Sequence, residues 1–432
     1  MGDVLQAVFV IGAMLLMLAA GLWVSLGLVA CGVLSVMLFT DVPADIVLPT
    51  KAWDSAANWG LVALPMFIWM GEILFRTRLS QDMFAGLGPW MRMLPGRLVH
   101  VNVVGCGIFA AVSGSSAATA ATIGKISLPE LKKRGYDEGL AVGSLAGAGT
   151  LGLLIPPSIV MIVYGVAAQA SVVKLFIAGI IPGIMLMAMF SGYIAYWSWR
   201  NPDKVPAADP PMPLREMVYR LRLLLPVLAL IGLVIGTIYT GVATATEAAV
   251  IGVAGSLAIA GLSGSLSRAS FTDSLMGAVR TTCMIAFIMV GAGCLTAAMS
   301  FSGLPTNLAT WISSLGLSQY GLIAVLSVFF IILGAFLEGI SIVVLTTSVL
   351  MPAVLAAGID PIWFGIYLIL IVEMAQITPP VGFNLFVIQN ITNHSLWFLI
   401  KKSFPFFLVL VAATAIVTVF PDIVLWLPSA MK

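Results

Sequence analysis

The sequence predicts an all-α, polytopic membrane fold made of two inverted repeats, each with one re-entrant helical hairpin and one broken helix. Three observations lead there. Of 432 residues, 61% are hydrophobic and only 9% are charged, with a mean hydropathy of +1.11, whereas soluble domains carry about 25% charged residues. Tandem prolines interrupt two apolar runs, "LLIPPSIVMIVYG" at 153–165 and "QITPPVGFNLFVI" at 376–388. The two interruptions also recur at one fixed spacing, together with the residues around them. A net charge of +2 leaves no basic surface for a polyanion, so nucleic acid is excluded as a partner. Cys31, Cys106, Cys283 and Cys294 lie in apolar segments without a CxxC pair and read as small fillers. His100 and His394 have no zinc-binding context.

A membrane span needs about 20 apolar residues. Spans are expected near 4–22, 24–40, 60–76, 137–170, 174–198, 223–240, 244–262, 278–300, 362–391 and 404–427. The first residues lack a basic n-region and a cleavage site, so they read as a retained helix with any small partner subunit on a separate chain. Residues 41–59, with Asp41, Asp45, Asp54, Trp53 and Trp59, read as an outer loop, and 78–96 and 303–316 as amphipathic interfacial helices. Regions 98–128 and 319–356 differ from ordinary spans. Each joins two apolar arms through a small polar stretch, "SGSS" at 113–116 and "LEGIS" at 337–341. An arm of roughly 15 residues rises about 22 Å, short of the roughly 30 Å hydrocarbon core. Both regions are therefore expected to be re-entrant hairpins with tips near the midplane.

Lys and Arg placement supports this parse. With both hairpins returning to their side of entry, sixteen basic residues share the cytoplasmic face, against Lys51, Lys174 and Lys432 outside, and Lys125 falls within the first hairpin. Both termini are then periplasmic. The Pro-rich basic stretch 200–222 reads as a cytoplasmic linker dividing a first repeat, 1–199, from a second, 223–432. Pro129, Gly135, Asp137, Pro156 and Pro157 recur as Pro352, Gly358, Asp360, Pro379 and Pro380, all offset by 223 residues. Upstream, Gly21 and Gly71 recur as Gly241 and Gly291 at an offset of 220. What repeats is backbone punctuation, the feature a duplicated fold retains.

Interrupted helices at matching positions of two halves point to a transport site at the bilayer midplane. The first break is expected to end a helix near Ile155 and restart one at Pro156 and Pro157. Carbonyl ends offer hard oxygen ligands to a small cation, and helix N-termini attract anions. Ser115 and Ser116 are placed to cap the returning arm of the first hairpin; Gly334, Gly339 and Ser341 shape the second. Around the breaks lie Gly149, Thr150, Gly152, Gln376 and Thr378, with Asn102 and Asn384 able to add amide oxygens. Small residues such as "AVSGSSAATAATIG" also serve plain helix packing, and a lone Pro-Pro pair is mostly a kink; the matched pair beside two hairpins favours a binding site. Glu72, Glu247, Glu338 and Glu373 read as carboxylates at membrane depth, functional candidates by default. For Glu72 and Glu247 a scaffold contact is equally expected.

The stretches "VNVVGCGIFAAVSGSSAATAATIG", "LPELKKRGYDEGLAVGSLAGAGTLGLLIPPSIVMIVYG", "GVATATEAAVIGV" and "GIDPIWFGIYLILIVEMAQITPPVGFNLFVIQNI" resemble the large membrane subunit of TRAP transporters, the tripartite ATP-independent periplasmic family, and the resemblance covers essentially the whole chain. It implies an elevator-type secondary transporter with a scaffold and a moving hairpin-bearing part. It also implies sodium-coupled uptake of organic acids, such as dicarboxylates or sialic acid. The partners it implies are a small four-helix membrane subunit and a soluble periplasmic substrate-binding protein. Carried over by residue, the sodium positions are Ser113, Gly114, Ser115 and Ser116 with Gly149, Thr150 and Gly152. The second set is Gly334, Glu338 and Gly339 with Gln376 and Thr378. Ala245 stands where the family more often has proline, and no acid follows the first-tip serines.

The expectation is a non-enzymatic sodium:organic-acid symporter subunit of a bacterial inner membrane, with substrate contacts from Ser115, Ser116, Asn102, Ser341 and Asn384 and no organic cofactor. Three alternatives stand beside it. A stand-alone ion-coupled carboxylate carrier or exchanger needs no partners. An intramembrane hydrolase using the "SGSS" serines lacks an evident histidine and a GxGD motif. A channel is disfavoured by paired hairpins, which suit occlusion.

Overall fold

In hydrocarbon every backbone N–H and C=O must be satisfied within the chain, so an apolar chain of this kind folds into helices. The computed structural model describes residues 9–431 apart from 10–11, 15, 18–19, 208–211, 304–306, 308–309, 311–317, 335–336 and 380–381, and every long element among them is a helix. Most of the expected span 4–22, most of the interfacial segment 303–316, and Pro380 lie outside the described residues.

In chain order the helices are α1 (Val24–Phe39), α2 (Ala44–Ala56), α3 (Ala63–Phe75), α4 (Leu79–Met91), α5 (His100–Ser113), α6 (Ser116–Lys133) and α7 (Glu138–Thr150). Then come α8 (Ile159–Ala167), α9 (Val172–Arg200), α10 (Leu214–Leu221), α11 (Leu225–Tyr239), α12 (Ala245–Leu262) and α13 (Arg268–Phe301). The chain ends with α14 (Gln319–Gly334), α15 (Gly339–Ala356), α16 (Pro361–Gln376), α17 (Phe383–Thr392), α18 (Leu396–Val419) and α19 (Asp422–Ser429). Helices α9, α12, α13 and α18 are each long and apolar enough to cross a membrane alone, while α2 with α3 and α10 with α11 form pairs bent by 57° and 52°.

The helices sort into two packing groups. Helices α1, α2, α3 and α12 gather around the long α13 or one another as a frame. The hairpin arms α5, α6 and α15, the broken helices α7–α8 and α16–α17, and the long α9 and α18 form a second body. The groups meet where α3 packs on α5 and α13 on α15. Glycine allows one of these contacts: a Cβ on Gly71 would lie 3.0 Å from the Val112 carbonyl oxygen.

The punctuation at offset 223 has the same geometry in both halves. Gly135 and Gly358 end α6 and α15 with φ of +79° and +71°. Tyr136 N–H donates to the Leu131 carbonyl, and its counterpart Ile359 N–H to that of Val354, at 3.0 and 3.1 Å. This paired pattern closes a helix C-terminus. Asp137 then caps α7 through the Leu140 amide at 2.8 Å, and Asp360 caps α16 through the Ile362 and Trp363 amides at 2.7 and 3.1 Å. Pro129 and Pro352 both sit inside their helices. Around Ser348 α15 bends by 61°, where Pro352 has no N–H for the carbonyl four residues earlier.

Four expectations need correction. Residues 41–59 are mostly the helix α2, with Asp45 in its first turn, packed on α13, where Cys294 reaches the Leu48 carbonyl. The span expected at 278–300 begins at Arg268, because Ser267 and Ser270 form a capping box there. The last span likewise starts early, at Leu396, with Ser395 as its cap. Glu247 is an exposed N-terminal capping residue of α12 rather than an acid at membrane depth. Its carboxylate accepts from the Thr244 amide and hydroxyl, both at 2.8 Å. The linker also contains α10, anchored to α4 by Trp90 Nε1 donating to the Met217 carbonyl at 3.3 Å.

One hydrogen bond joins the two broken helices directly. The buried Tyr164 hydroxyl on α8 donates to the Pro361 carbonyl, the first residue of α16, at 2.6 Å. Removing it in Tyr164→Phe gives up a part-buried hydrogen bond and is expected to cost about 0.5–1.5 kcal/mol, measured as a lowered melting temperature of the detergent-solubilised protein.

Candidate functional site

The first hairpin turns in three residues. Helix α5 ends at Ser113, and Gly114 takes the left-handed conformation (φ +59°, ψ 14°) that reverses the chain. Ser115 is the N-cap of α6, its hydroxyl accepting from the Ala118 amide at 3.4 Å. Thr119, one turn on, braces the turn: its hydroxyl donates to the Ser115 carbonyl at 2.7 Å and lies 2.8 Å from Ser113 Oγ. The first break closes on this tip. Ile159 N–H donates to the Gly114 carbonyl at 3.4 Å. A Cβ on Gly152 would fall 2.5 Å from the Ser115 carbonyl carbon and oxygen, so backbone lies directly on backbone.

The break is longer than expected. Helix α7 stops at Thr150, five residues before Ile155, and tight turns follow, with Leu153 N–H on the Thr150 carbonyl and Ile155 N–H on that of Leu151, both at 3.0 Å. Pro156 and Pro157 donate nothing, and a residue preceding proline is pushed out of the helical region. Helix α8 restarts only at Ile159, capped by Ser158, whose Oγ accepts from the Met161 amide at 3.5 Å.

In the second half Glu338 is the extended residue before α15. Its carboxylate turns toward the Ile340 amide and the Ser341 hydroxyl without closing a full hydrogen bond. Gly334 packs on the Ala375 methyl, and Gly339 on Val372 and the Gln376 amide. Helix α16 ends at Gln376, where Thr378 donates back to the Met374 and Ala375 carbonyls at 3.1 and 3.0 Å. Pro379 is exposed, and Gly382 precedes α17. Glu373, wholly buried, crosses between halves. Its carboxylate faces the Leu154 amide and the Thr150 hydroxyl of the first break, and among the described residues neither oxygen has a hydrogen-bond partner.

Both tips open onto one cavity of about 670 Å³. Ser113, Gly114, Ser115 and Ser116 line it from the first tip, Glu338 and Gly339 from the second, and Gln376 from α16. The N-termini of α6 and α15 both reach it. Each such terminus favours an anion by about 0.3–1 kcal/mol, and up to about 2 where partly buried. Serine hydroxyls, the Gln376 Oε1, which is buried without a partner, and the Glu338 carboxylate provide hard oxygen donors for a small cation.

The remaining candidates stand behind the cavity. Gly149 packs on Ala120, and the Thr150 hydroxyl donates to the Gly147 carbonyl at 2.8 Å. Asn102 ties α5 to α7 through the Ala141 carbonyl and Ser144 hydroxyl at 3.1 and 2.9 Å. Ser341 and Asn384 are buried, and among the described residues their side chains have no hydrogen-bond partner. Sequence reading missed Thr119, although its spacing of four from Ser115 places it on the tip side of α6. It also missed the frame wall of the cavity, Ile68, Phe75, Thr281 and Met284, which carries no motif. Glu72 lines that wall, ion-paired with Arg76 and seated against Gly277. The histidines lie elsewhere: His100 Nε2 is 2.6 Å from the Pro95 carbonyl, and His394 is 3.1 Å from Glu138.

A polar-tipped cavity held between two re-entrant hairpins and two helix breaks in an apolar helical chain defines the class of secondary membrane transporters. The solved Alcanivorax borkumensis YdaH transporter has the same fold, with a TM-score of 0.65, 13% identity, and 96% of this chain and 98% of that one covered. The chain belongs to the tripartite ATP-independent periplasmic transporter family as a DctM component, matched over residues 11–423. It is 33% identical to the C4-dicarboxylate TRAP transporter large permease protein DctM of Pseudomonas aeruginosa, covering 94% of both chains. It is 31% identical to the isethionate TRAP transporter permease protein DctMQ of Oleidesulfovibrio alaskensis, covering 95% of this chain and 65% of that one.

Gly152→Ala places a methyl on the Ser115 carbonyl and is expected to lower transport at least about tenfold by prising the tip from the break. Gly192→Ala, whose new methyl meets nothing within 4 Å, is expected to be neutral in the same uptake measurement.

Proposed function

We propose that this chain is the large permease subunit of a binding-protein-dependent transporter that couples sodium entry to uptake of an organic acid anion across a bacterial inner membrane. The observation that carries the reading is the single cavity onto which both hairpin tips open. Sodium, as co-transported cargo, is held at the first tip by Ser113, Ser115 and Ser116 with the turn around Gly149, Thr150 and Gly152. At the second tip it is held by Gly334, Glu338, Gly339, Gln376 and Thr378. Positive charge at the tips and the N-termini of α6 and α15 then favour a carboxylate or sulfonate, as the names of the dicarboxylate and isethionate relatives suggest.

The two halves act as inverted repeats, 1–199 and 223–432. The hairpin-bearing group slides as a unit along the frame of α1, α2, α3, α12 and α13, in an elevator motion. The cavity reaches Glu72 and Phe75 at the end of α3, beside the basic residues Arg76 and Arg78, which supports an inward-facing state under the positive-inside rule. A small membrane subunit packs on the frame, and a periplasmic binding protein delivers substrate from the other side.

The test is uptake of succinate or isethionate into proteoliposomes holding this chain with its partner subunits. A sodium gradient is expected to drive accumulation, and uptake indifferent to sodium contradicts the coupling. Replacing Pro156 and Pro157 together by alanine is expected to reduce uptake at least about tenfold while the melting temperature stays close to wild type. Undiminished uptake in that variant contradicts a functional role for the break.

A further inference from the structure

Among the described residues, those lining the cavity include two acids, Glu72 and Glu338, and no Lys or Arg. An anion leaving the tips must therefore find its counter-charge elsewhere. On α6 the cavity-lining Ala117, Ala118 and Ala121 share one face, and Lys125 lies on that face one turn further from the tip. On α13 Thr281 and Met284 line the opposite wall and Gly277 contacts Glu72. Arg280 lies three residues after Gly277 and four before Met284, flanking the same face.

Both side chains are exposed. Among the described residues neither makes an ion pair or a hydrogen bond, unlike Arg76, Arg134 and Arg220, which are tied to glutamates. Arg280 had been expected at the flank of a span starting at 278. It lies instead twelve residues inside α13, about 18 Å from its first turn, and Lys125 lies about 14 Å from the tip end of α6. An unpaired cation beside a cavity open to its surroundings raises the local concentration of anions.

Resting on the transport reading above, we propose that Lys125 and Arg280 form an anion subsite at the basic-side mouth of the cavity, taking a carboxylate or sulfonate of the substrate as it leaves the tips. One cation rides on the hairpin-bearing group and the other on the frame, so the subsite is assembled only when the two groups stand in the inward-facing register. Its effect is therefore one-sided: it lowers the anion concentration needed for half-saturation from the cytoplasmic side and leaves the periplasmic side unaffected.

The experiment is counterflow of radiolabelled succinate, and in parallel isethionate, in proteoliposomes with both partner subunits, with half-saturation measured separately for inner and outer anion. Lys125→Gln and Arg280→Gln are each expected to raise the inner value about fivefold and to weaken its dependence on ionic strength, with the outer value unchanged. Lys125→Arg and Arg280→Lys are expected to restore it. Inner values unchanged within about twofold, or equal changes on both sides, overturn the subsite while sodium-driven uptake keeps the transport reading intact. An effect that instead follows the phosphatidylglycerol content of the vesicles overturns it in favour of a lipid contact. Wild-type protein that moves neither anion removes the transport reading and the subsite with it.

Discussion

Backbone polar groups inside a bilayer cannot be left to water, and that constraint governs the molecule. A helix broken at midplane depth survives only if something else meets its freed ends. Here the first break is met by the tip of its own hairpin: Gly152 lies on the Ser115 backbone, and Ile159 donates to the Gly114 carbonyl. The tip in turn is braced internally by Thr119. Hairpin and break are thus one structural unit, and a cavity bounded by the tip moves wherever the break moves.

The two halves are then joined at depth rather than merely placed side by side. The Tyr164 hydroxyl bonds the start of α16, and α15 packs on α8. These contacts make one body of two hairpins and two breaks, the part that slides as a unit in the proposed motion. The frame touches it mainly through α3 on α5 and α13 on α15, with glycine at Gly71 allowing close passage. Separating a cohesive hairpin body from a frame by so limited a seam suits sliding better than bending.

Much of this was legible because it is written in residues with special backbone roles. Prolines, positive-φ glycines and capping aspartates carry the same meaning wherever they stand, so Pro129, Gly135 and Asp137 announced Pro352, Gly358 and Asp360 without other side-chain identity. The "SGSS" tip was legible for the same reason. Helix ends were less so: α13 begins ten residues early because a serine capping box outweighs the drop in hydropathy, and α7 stops early because the tight turns preceding the prolines replace its last turn. Glu247 misled because an acid within an apolar stretch looks alike whether it caps a helix or sits in the core. The frame wall of the cavity was hidden, since Ile68, Phe75 and Met284 are ordinary apolar residues whose role comes only from what faces them. Lys125 and Arg280 were visible as charges, but only the fold shows that their helices both line one cavity.

The central claim is that both hairpin tips meet one cavity. The most direct test places single cysteines at Ala118 and Ile340, one beside each tip, in a chain lacking its four native cysteines. Both are then probed with a membrane-impermeant maleimide from each side of oriented vesicles. The account predicts that both positions react from the same side in the same state and that substrate anion protects both together. Unreactive cysteines at both positions, or reaction from opposite sides in one state, would contradict it.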